Sequence, residues 1–439
     1  HCESSAASDV YKRQDYGVQF NGLMYERFLK DENITLFSPN DAPGLYDAFF
    51  ADQSKFKKLY EKYEKDDSIR KQKINARELF ALFMKERANT GRIYLQNVDH
   101  CNTHGAFDPA QAPIKQSNLC MEITLPTKPL YSVQDDSGEV ALCTLSAVNL
   151  GALDSLDELE DITDIIVRSL DSLLDYQDYP LKSAEITSNN RRTLGIGVTN
   201  LAYYLAKNDA KYSDGSGNDL IHKTFEALQY YSLKASNEIA QEFGPCPLFS
   251  ETQYAKGIMP IDSYKKDIDK FCNTKLELDW DTLRKNIQEK GLRNSTLTAL
   301  MPCESSSQIS NSTNGIEPPR GFISVKQSKD GILKQVVPEY EKLHKKYELL
   351  WDIKDNEGYL QLCAIMQKFV DQSISTNTHY DPSQYDGNRV PMKLFLMDLL
   401  KAYKYGIKTL YYHTTRDGAS DESIEKKGDD DCEDGVCKL

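Results

Sequence analysis

The chain has 439 residues, 40% hydrophobic and 27% charged, with a formal net charge of −14. That length can bury a substantial core, in one large α/β unit or in several domains. So acidic a balance argues against nonspecific nucleic-acid binding, which needs cationic surface to displace phosphate counterions. No apolar run is long enough to span a bilayer and no secretory signal peptide is visible, so no membrane partner is expected. The ten scattered cysteines do not make a small disulfide-stapled scaffold, and a reducing cytoplasm is the expected compartment.

Residues 1–14 include DVYKRQ, which reads as a translated transposase adapter from library preparation. They are expected to be an assembly artefact, with the natural gene continuing upstream. Asp66 to Arg92 reads as a helix with an apolar stripe at Leu79, Phe80 and Phe83, and GRIYLQNVD reads as a strand after Gly91. QSNLCMEI follows, from Gln116 to Ile123. On an extended backbone its alternate residues Asn118, Cys120 and Glu122 would share one face, opposite Leu119 and Met121. Ile162, Ile165, Ile166, Ser169, Leu170, Leu173 and Leu174 follow helical periodicity, as do Ile221, Phe225, Leu228 and Tyr231 within 219–242. The segment from Phe249 to Arg293, richer in lysine and aspartate, reads as a smaller helical insert. Pro391 to Gly406 reads as a helix, with Pro391 in its first turn and Gly406 ending it, and Ile407 to Tyr412 as a strand. Helices alternating with short strands point to an α/β fold. The stretch Ala419 to Leu439, with eight acidic and three basic residues, is expected to be a flexible tail.

Some motifs have a plainer reading. HCNTH, His100 to His104, has metal-like spacing but no second ligand cluster, so no metal site is expected. GIGVTN, Gly195 to Asn200, lacks the last glycine of a dinucleotide fingerprint and reads as a tight strand-to-helix turn. Asn294-Ser295-Thr296 is a glycosylation sequon without use in the cytoplasm. MPCESSSQIS places Pro302 before Ser305-Ser306-Ser307-Gln308, a capping-box pattern at which free N–H groups and hydroxyls could meet an anion. CEDGVC sets Cys432 and Cys437 in the tail, where they could close a disulfide ring and exchange it. A glutamate beside Cys120 would raise a thiol pKa, and no histidine is placed as its base, so a thiolate nucleophile is disfavoured. A neutral thiol beside a carboxylate and an amide suits one-electron chemistry, with the sulfur as radical and Glu122 managing a proton.

QSNLCMEI, GEVALCTLSAVNLG, RRTLGIGV, PCESSSQIS, NGIEPPRGF, TLYYHTTRDGA and the CEDGVC tail together resemble the large, catalytic subunit of class I ribonucleoside-diphosphate reductases, in the family's order, from Asp15 to Leu439. The resemblance implies an α/β fold: a ten-stranded α/β barrel of the ribonucleotide reductase and glycyl-radical type, incomplete here, with a finger loop carrying Cys120 at its tip. On that footing 15–248 is barrel with the finger loop, 249–301 a small α+β insert, 302–418 the last barrel elements and 419–439 the redox tail. Cys120 then becomes a thiyl radical that takes the 3′ hydrogen of the substrate ribose, Glu122 accepts the 3′-hydroxyl proton, and Asn118 bonds the sugar hydroxyls. Cys143 matches one of two cysteines that reduce the 2′ position. Asn118, Leu119, Cys120, Met121 and Glu122, with Pro302, Cys303, Glu304, Ser305 and Ser306, would contact the nucleoside diphosphate, the second group through its phosphates. Tyr411 and Tyr412 match a stacked pair that relays the radical, and Cys432 and Cys437 match the tail pair reduced by thioredoxin or glutaredoxin.

The resemblance also implies no cofactor bound for chemistry in this chain. The radical would come from a small (beta) subunit with a metal and a tyrosyl radical. ATP and deoxynucleotide effectors and a homodimer of large subunits belong to the full-length enzyme. Cys303 and Ser305 stand where serine and threonine are expected, with the hydroxyl at 305 kept. The ATP cone, the opening strands, the effector loops and the partner of Cys143 would all precede Asp15, so this chain alone is expected to be inactive. An adenosylcobalamin-dependent (class II) reductase would not need TLYY, a glycyl-radical enzyme would not end in a cysteine pair, and a noncatalytic thiol-exchange protein would leave the Asn-Cys-Glu triplet without purpose.

Overall fold

The computed structural model describes residues 15–328 and 331–416. Expectations for residues 1–14 and 419–439, including Cys432 and Cys437, fall outside the described residues. The extended segments form an open arc. β1 (Tyr16–Phe20) runs parallel to β4 (Ile93–Asn97), whose other edge takes β10 (Thr409–Leu410) antiparallel. β11 (His413–Thr415) runs parallel to β9 (Thr378–Tyr380). Ladder contacts continue from Ile374 to Leu300 and from Thr298 to Ile196 in β6 (Gly195–Thr199), which pairs in parallel with β5 (Leu145–Asn149). Two antiparallel pairs lie apart from the arc: β2 (Asn33–Phe37) with β3 (Lys71–Asn75), and β7 (Ile323–Ser328) with β8 (Gly331–Val336). The arc does not close into a barrel among the described residues.

Several sequence expectations need correction. The helix expected over Asp66–Arg92 covers only Ala76–Thr90, because Lys71–Asn75 pairs as β3 and the Asn75 carboxamide accepts from the N–H groups of Arg77 and Glu78, opening the helix there. In the helix Glu158–Tyr176 the buried stripe runs through Leu159, Thr163, Val167, Leu170 and Leu174, so Ile165 and Leu173 face outward. The stripe is turned because Asp171 faces inward, where its carboxylate accepts from Arg192 at 2.6 Å and Arg293 at 3.1 Å. Pro391 is the N-cap of the helix Met392–Lys404 rather than part of its first turn. The strand expected over Ile407–Tyr412 is only Thr409–Leu410, since the chain leaves the ladder at Tyr411.

The expectations for β4, the 219–242 helix, Gly406 and the GIGVTN turn stand as read. β4 follows Gly91, the long helix Asn218–Phe243 covers the 219–242 periodicity, and Gly406 ends its helix with φ +84°. β6 turns directly into the helix Leu201–Lys207 at Asn200, which holds a left-handed φ of 70°. The glycines of GIGVTN serve packing. A Cβ on Gly197 would sit 2.7 Å from Ala299 O, so glycine lets β6 lie against residues 298–301. Residues 249–293 are short helical pieces and the helix Trp280–Lys290, and their Tyr254, Trp280 and Ile287 join the main apolar core. Among the described residues, no helix is long and apolar enough to cross a membrane.

One buried carboxylate ties the middle of the arc together. Asp371 accepts from the N–H groups of Leu297 (2.9 Å) and Thr298 (3.0 Å) and from the Tyr254 hydroxyl (2.9 Å). It thereby locks segment 371–376 to segment 296–300. Asp371→Ala leaves these donors buried without an acceptor, and each such orphan costs about 1–3 kcal/mol. The expected loss of about 3 kcal/mol or more is read from urea denaturation.

Candidate active site

Cys120 sits in a turn and not on a strand, which corrects the alternating-face picture of QSNLCMEI. The Met121 N–H donates to Asn118 O at 3.2 Å, and Met121 takes φ +68°, a conformation rare for a side chain other than glycine. That reversal brings Asn118 back onto Glu122: the Asn118 amide donates to Glu122 Oε1 at 2.8 Å, and its Oδ1 accepts from the Ile123 N–H at 3.1 Å. Amide, thiol and carboxylate do converge, by a turn rather than by strand alternation. Leu119 and Met121 part company as a result, Leu119 facing solvent and Met121 buried against Tyr94 and Tyr411.

The turn is anchored on the extended segment beyond Asp371. Ser373 N–H donates to Glu122 O at 2.9 Å, the Thr124 N–H to Gln372 Oε1 at 3.3 Å, and the Ser375 hydroxyl to Cys120 O at 2.6 Å. The same hydroxyl lies 3.3 Å from Glu122 Oε2. Glu122 is buried with no cation against it among the described residues, and burial raises its carboxyl above the ordinary range despite the hydrogen bonds from Asn118 and Ser375. Such a carboxylate is a stronger base than one in water. Cys143 approaches from the loop before β5, its sulfur 3.9 Å from the Asn118 amide nitrogen. Partial burial, then Glu122 and Cys120, push the Cys143 thiol up to about 12, so it is neutral near pH 7.

Three tyrosines meet the other side of Cys120. The Tyr411 hydroxyl lies 3.7 Å from Cys120 Sγ. The rings of Tyr411 and Tyr412 are 3.9 Å apart at 42°, and Tyr94 packs on both, at 4.8 and 5.7 Å. Tyr411 is buried while Tyr412 is part exposed, so the pair runs from the sulfur toward the surface. Burial raises the Tyr411 and Tyr94 phenols well above their usual range.

The phosphate-loop candidates are brought together separately. Pro302 leads into the short helix Glu304–Ile309, whose N-cap is Cys303 and which carries no side-chain cap bond. The expected capping box at Ser305 is therefore absent, since the N-cap falls two residues earlier, at Cys303. Asn314 holds the loop instead, its Oδ1 accepting from the Cys303 N–H at 2.7 Å and its amide donating to Glu304 Oε1 at 2.8 Å. The HCNTH residues are engaged elsewhere: His100 with Ile407 O at 3.1 Å, and His104 with the Ser263 hydroxyl and Gln367 O.

Ser375, Tyr94 and the part-buried pair in which the Asn377 amide donates to Glu317 also belong to the site, none of them named from the sequence. Glu317 lies inside NGIEPPRGF, and burial raises its carboxyl too. The motif itself was the one available signal. Ser375 and Tyr94 had none, being common residue types far from Cys120 in the chain.

The family profile described as "Ribonucleotide reductase, barrel domain" matches residues 3–413. The ribonucleoside-diphosphate reductase subunit alpha of Haemophilus influenzae is 65% identical over 98% of the chain and 56% of its own length. Subunit alpha of ribonucleoside-diphosphate reductase 1 of Escherichia coli is 66% identical over 98% of the chain and 57% of its own length. The large subunit of Danio rerio is 28% identical over 95% of the chain and 54% of its own length. The chain thus spans a little over half the length of these curated relatives.

The raised Glu122 carboxyl has a consequence for stability. The folded state binds the proton more tightly than the unfolded chain, so stability is full below about pH 4.3 and falls as pH rises toward the folded value. Glu122→Gln removes that decline. Its melting temperature is expected to match the parent near pH 4 and to exceed it by about 2 °C or more at pH 8. A thermal-melt series across pH measures the difference.

Proposed function

The chain belongs to the ribonucleotide reductase barrel-domain family, and from that premise we propose that it carries the radical centre of a class I ribonucleoside-diphosphate reductase large subunit. The reaction is reduction of ribonucleoside diphosphates to 2′-deoxyribonucleoside diphosphates for DNA precursors. The observation that carries this reading is the Tyr411 hydroxyl 3.7 Å from Cys120 Sγ, with a buried carboxylate two residues from the cysteine. Hydrogen-atom transfer needs donor and acceptor side by side, and the Tyr411 oxygen and Cys120 sulfur stand so.

In the proposed cycle a small subunit supplies the radical, which passes through Tyr412 to Tyr411. The Tyr411 phenoxyl takes the hydrogen of Cys120: an O–H bond forms, the S–H bond breaks, and the sulfur is left as the thiyl. The thiyl takes the 3′ hydrogen of the ribose and leaves a carbon radical. Glu122 receives the 3′-hydroxyl proton, for which its raised pKa suits it, and Asn118 fixes the hydroxyls. The 2′-hydroxyl leaves as water, Cys143 and a second thiol of the full-length enzyme supply the two reducing equivalents and close a disulfide, and Cys120 returns the 3′ hydrogen. The loop Pro302 to Ser306 would hold the diphosphate. Cys432 and Cys437 would restore the active-site thiols, with thioredoxin or glutaredoxin reducing them in turn. A cytoplasmic homodimer of large subunits fits this role. The stacked tyrosines favour this reading over an adenosylcobalamin enzyme, which has no use for a relay from the surface.

The test is CDP reduction by a protein of the relatives' full length carrying this chain, supplied with a small subunit and a thiol reductant. Cys120→Ser is expected to abolish product. Cys432→Ser is expected to block turnover driven by thioredoxin and to spare most of that driven by a small dithiol. Product formation by Cys120→Ser overturns the mechanism.

A further inference from the structure

Arg87, on the helix Ala76–Thr90, is completely buried, and among the described residues no carboxylate lies within ion-pair distance of it. Its guanidinium donates to main-chain carbonyls instead. Nη1 reaches Tyr411 O at 2.8 Å and also Ile93 O, Nη2 reaches Tyr412 O at 3.2 Å, and Nε has no partner among the described residues. Burying a cation without a counter-charge is expensive, and burial already draws this guanidinium down to about 10. An apolar side chain would fill the same space at lower cost. The group therefore earns explanation by what it holds.

What it holds is the break in the sheet. Consecutive residues on a strand point to opposite faces, yet the Tyr411 and Tyr412 rings touch, their centroids 3.9 Å apart and the planes tilted at 42°. Regular pairing stops at Leu410 and resumes at His413. Across the gap the Tyr411 N–H donates to Thr376 O at 2.7 Å and the Tyr412 N–H to Asn377 Oδ1 at 2.8 Å. The two carbonyls, one after the other, are bridged by the planar fork of Arg87. Only a rigid two-pronged donor fixes successive carbonyls together; a lysine ammonium is a point donor.

We propose that Arg87 is a positioning residue for radical transfer, holding the Tyr411–Tyr412 backbone so that both rings stack and the Tyr411 hydroxyl stays on Cys120. The proposal rests on the reading given under Proposed function. In the step concerned, the phenoxyl radical at Tyr412, supplied by the small subunit, takes the hydrogen atom of Tyr411. An O–H bond forms at Tyr412 as the one at Tyr411 breaks, electron and proton move together, and net charge is unchanged. Burial makes an ionic intermediate at Tyr411 costly, so the rate depends on the spacing that Arg87 maintains.

The test uses Arg87→Met and Arg87→Lys in a protein of the relatives' full length, with the small subunit and CDP. Because Arg87 acts on the carbonyls of Tyr411 and Tyr412, kcat is expected to fall about tenfold or more in Arg87→Met with KM unchanged within about twofold. A solvent deuterium isotope effect on kcat is expected to appear as transfer through the stack becomes slow. Arg87→Lys keeps the charge but loses the fork, and is expected to lose about threefold or more of kcat. Parent-like kcat in folded Arg87→Met, or in Arg87→Lys should the first variant not fold, overturns the proposal. So does a loss confined to KM. A second readout does not depend on activity: fluorotyrosine placed at position 412 reports the ring current of Tyr411. Its fluorine resonance is expected to shift in the Arg87 variants, and an unchanged resonance overturns the positioning role. Failure of the parent to reduce CDP would instead count against the functional reading, and the fluorine measurement would still decide the role of Arg87.

Discussion

The site depends on the contact between the turn Asn118–Glu122 and the extended segment 371–376. The turn closes on itself through the Asn118 amide and the Glu122 carboxylate, 2.8 Å apart. It is then fastened from outside, by the Ser375 hydroxyl on Cys120 O and the Ser373 N–H on Glu122 O. Neither set of bonds suffices alone. A free turn with Met121 at φ +68° is strained, and the segment can anchor it only because Asp371 and Lys408 hold that segment in place. Lys408, fully buried, donates to Asp371 O at 2.9 Å and to Gln372 O.

Desolvation dominates around this centre and gives it a common chemical character. Glu122, Glu317 and Asp371 are carboxyls raised by desolvation, Cys143 is a thiol pushed up to about 12, and Tyr94 and Tyr411 are phenols raised likewise. Each of these environments favours the neutral form. A pocket that disfavours ions is poorly suited to a thiolate nucleophile. It is well suited to moving hydrogen atoms between sulfur, oxygen and carbon, with one carboxylate available for a proton. The Tyr411–Tyr412 pair runs from this pocket toward the surface, and passing a hydrogen atom along it separates no charge.

Much of this was legible in the sequence, though not for the reason first apparent. Asn118, Cys120 and Glu122 stand close together in the chain, so their convergence could be guessed, but alternation on a strand was the wrong cause. A left-handed Met121 carries no sequence signal, since only glycine or asparagine advertises that conformation. The distortion at Tyr411–Tyr412 was foreseeable, because stacking of neighbours excludes a regular strand. Its supports were not: Arg87 precedes the pair by more than 300 residues, and Tyr94 is one of 26 tyrosines. Helices declared themselves through periodicity, yet the Glu158–Tyr176 stripe was turned by buried Asp171, a polar residue that periodicity counts as exposed. KQKIN became β3 through pairing with β2 and not through its own weak propensity.

The central claim is that the hydrogen atom passes directly between the Tyr411 oxygen and the Cys120 sulfur. Tyr411→Phe removes that oxygen and leaves the ring in its stack, so it isolates this one contact. The decisive measurement pairs CDP turnover with CDP affinity by calorimetry, in a Tyr411→Phe protein of the relatives' full length mixed with the small subunit. The expected result is loss of deoxynucleotide product with CDP affinity unchanged. Turnover at the parent rate would contradict it, because the radical would then be reaching Cys120 by another path.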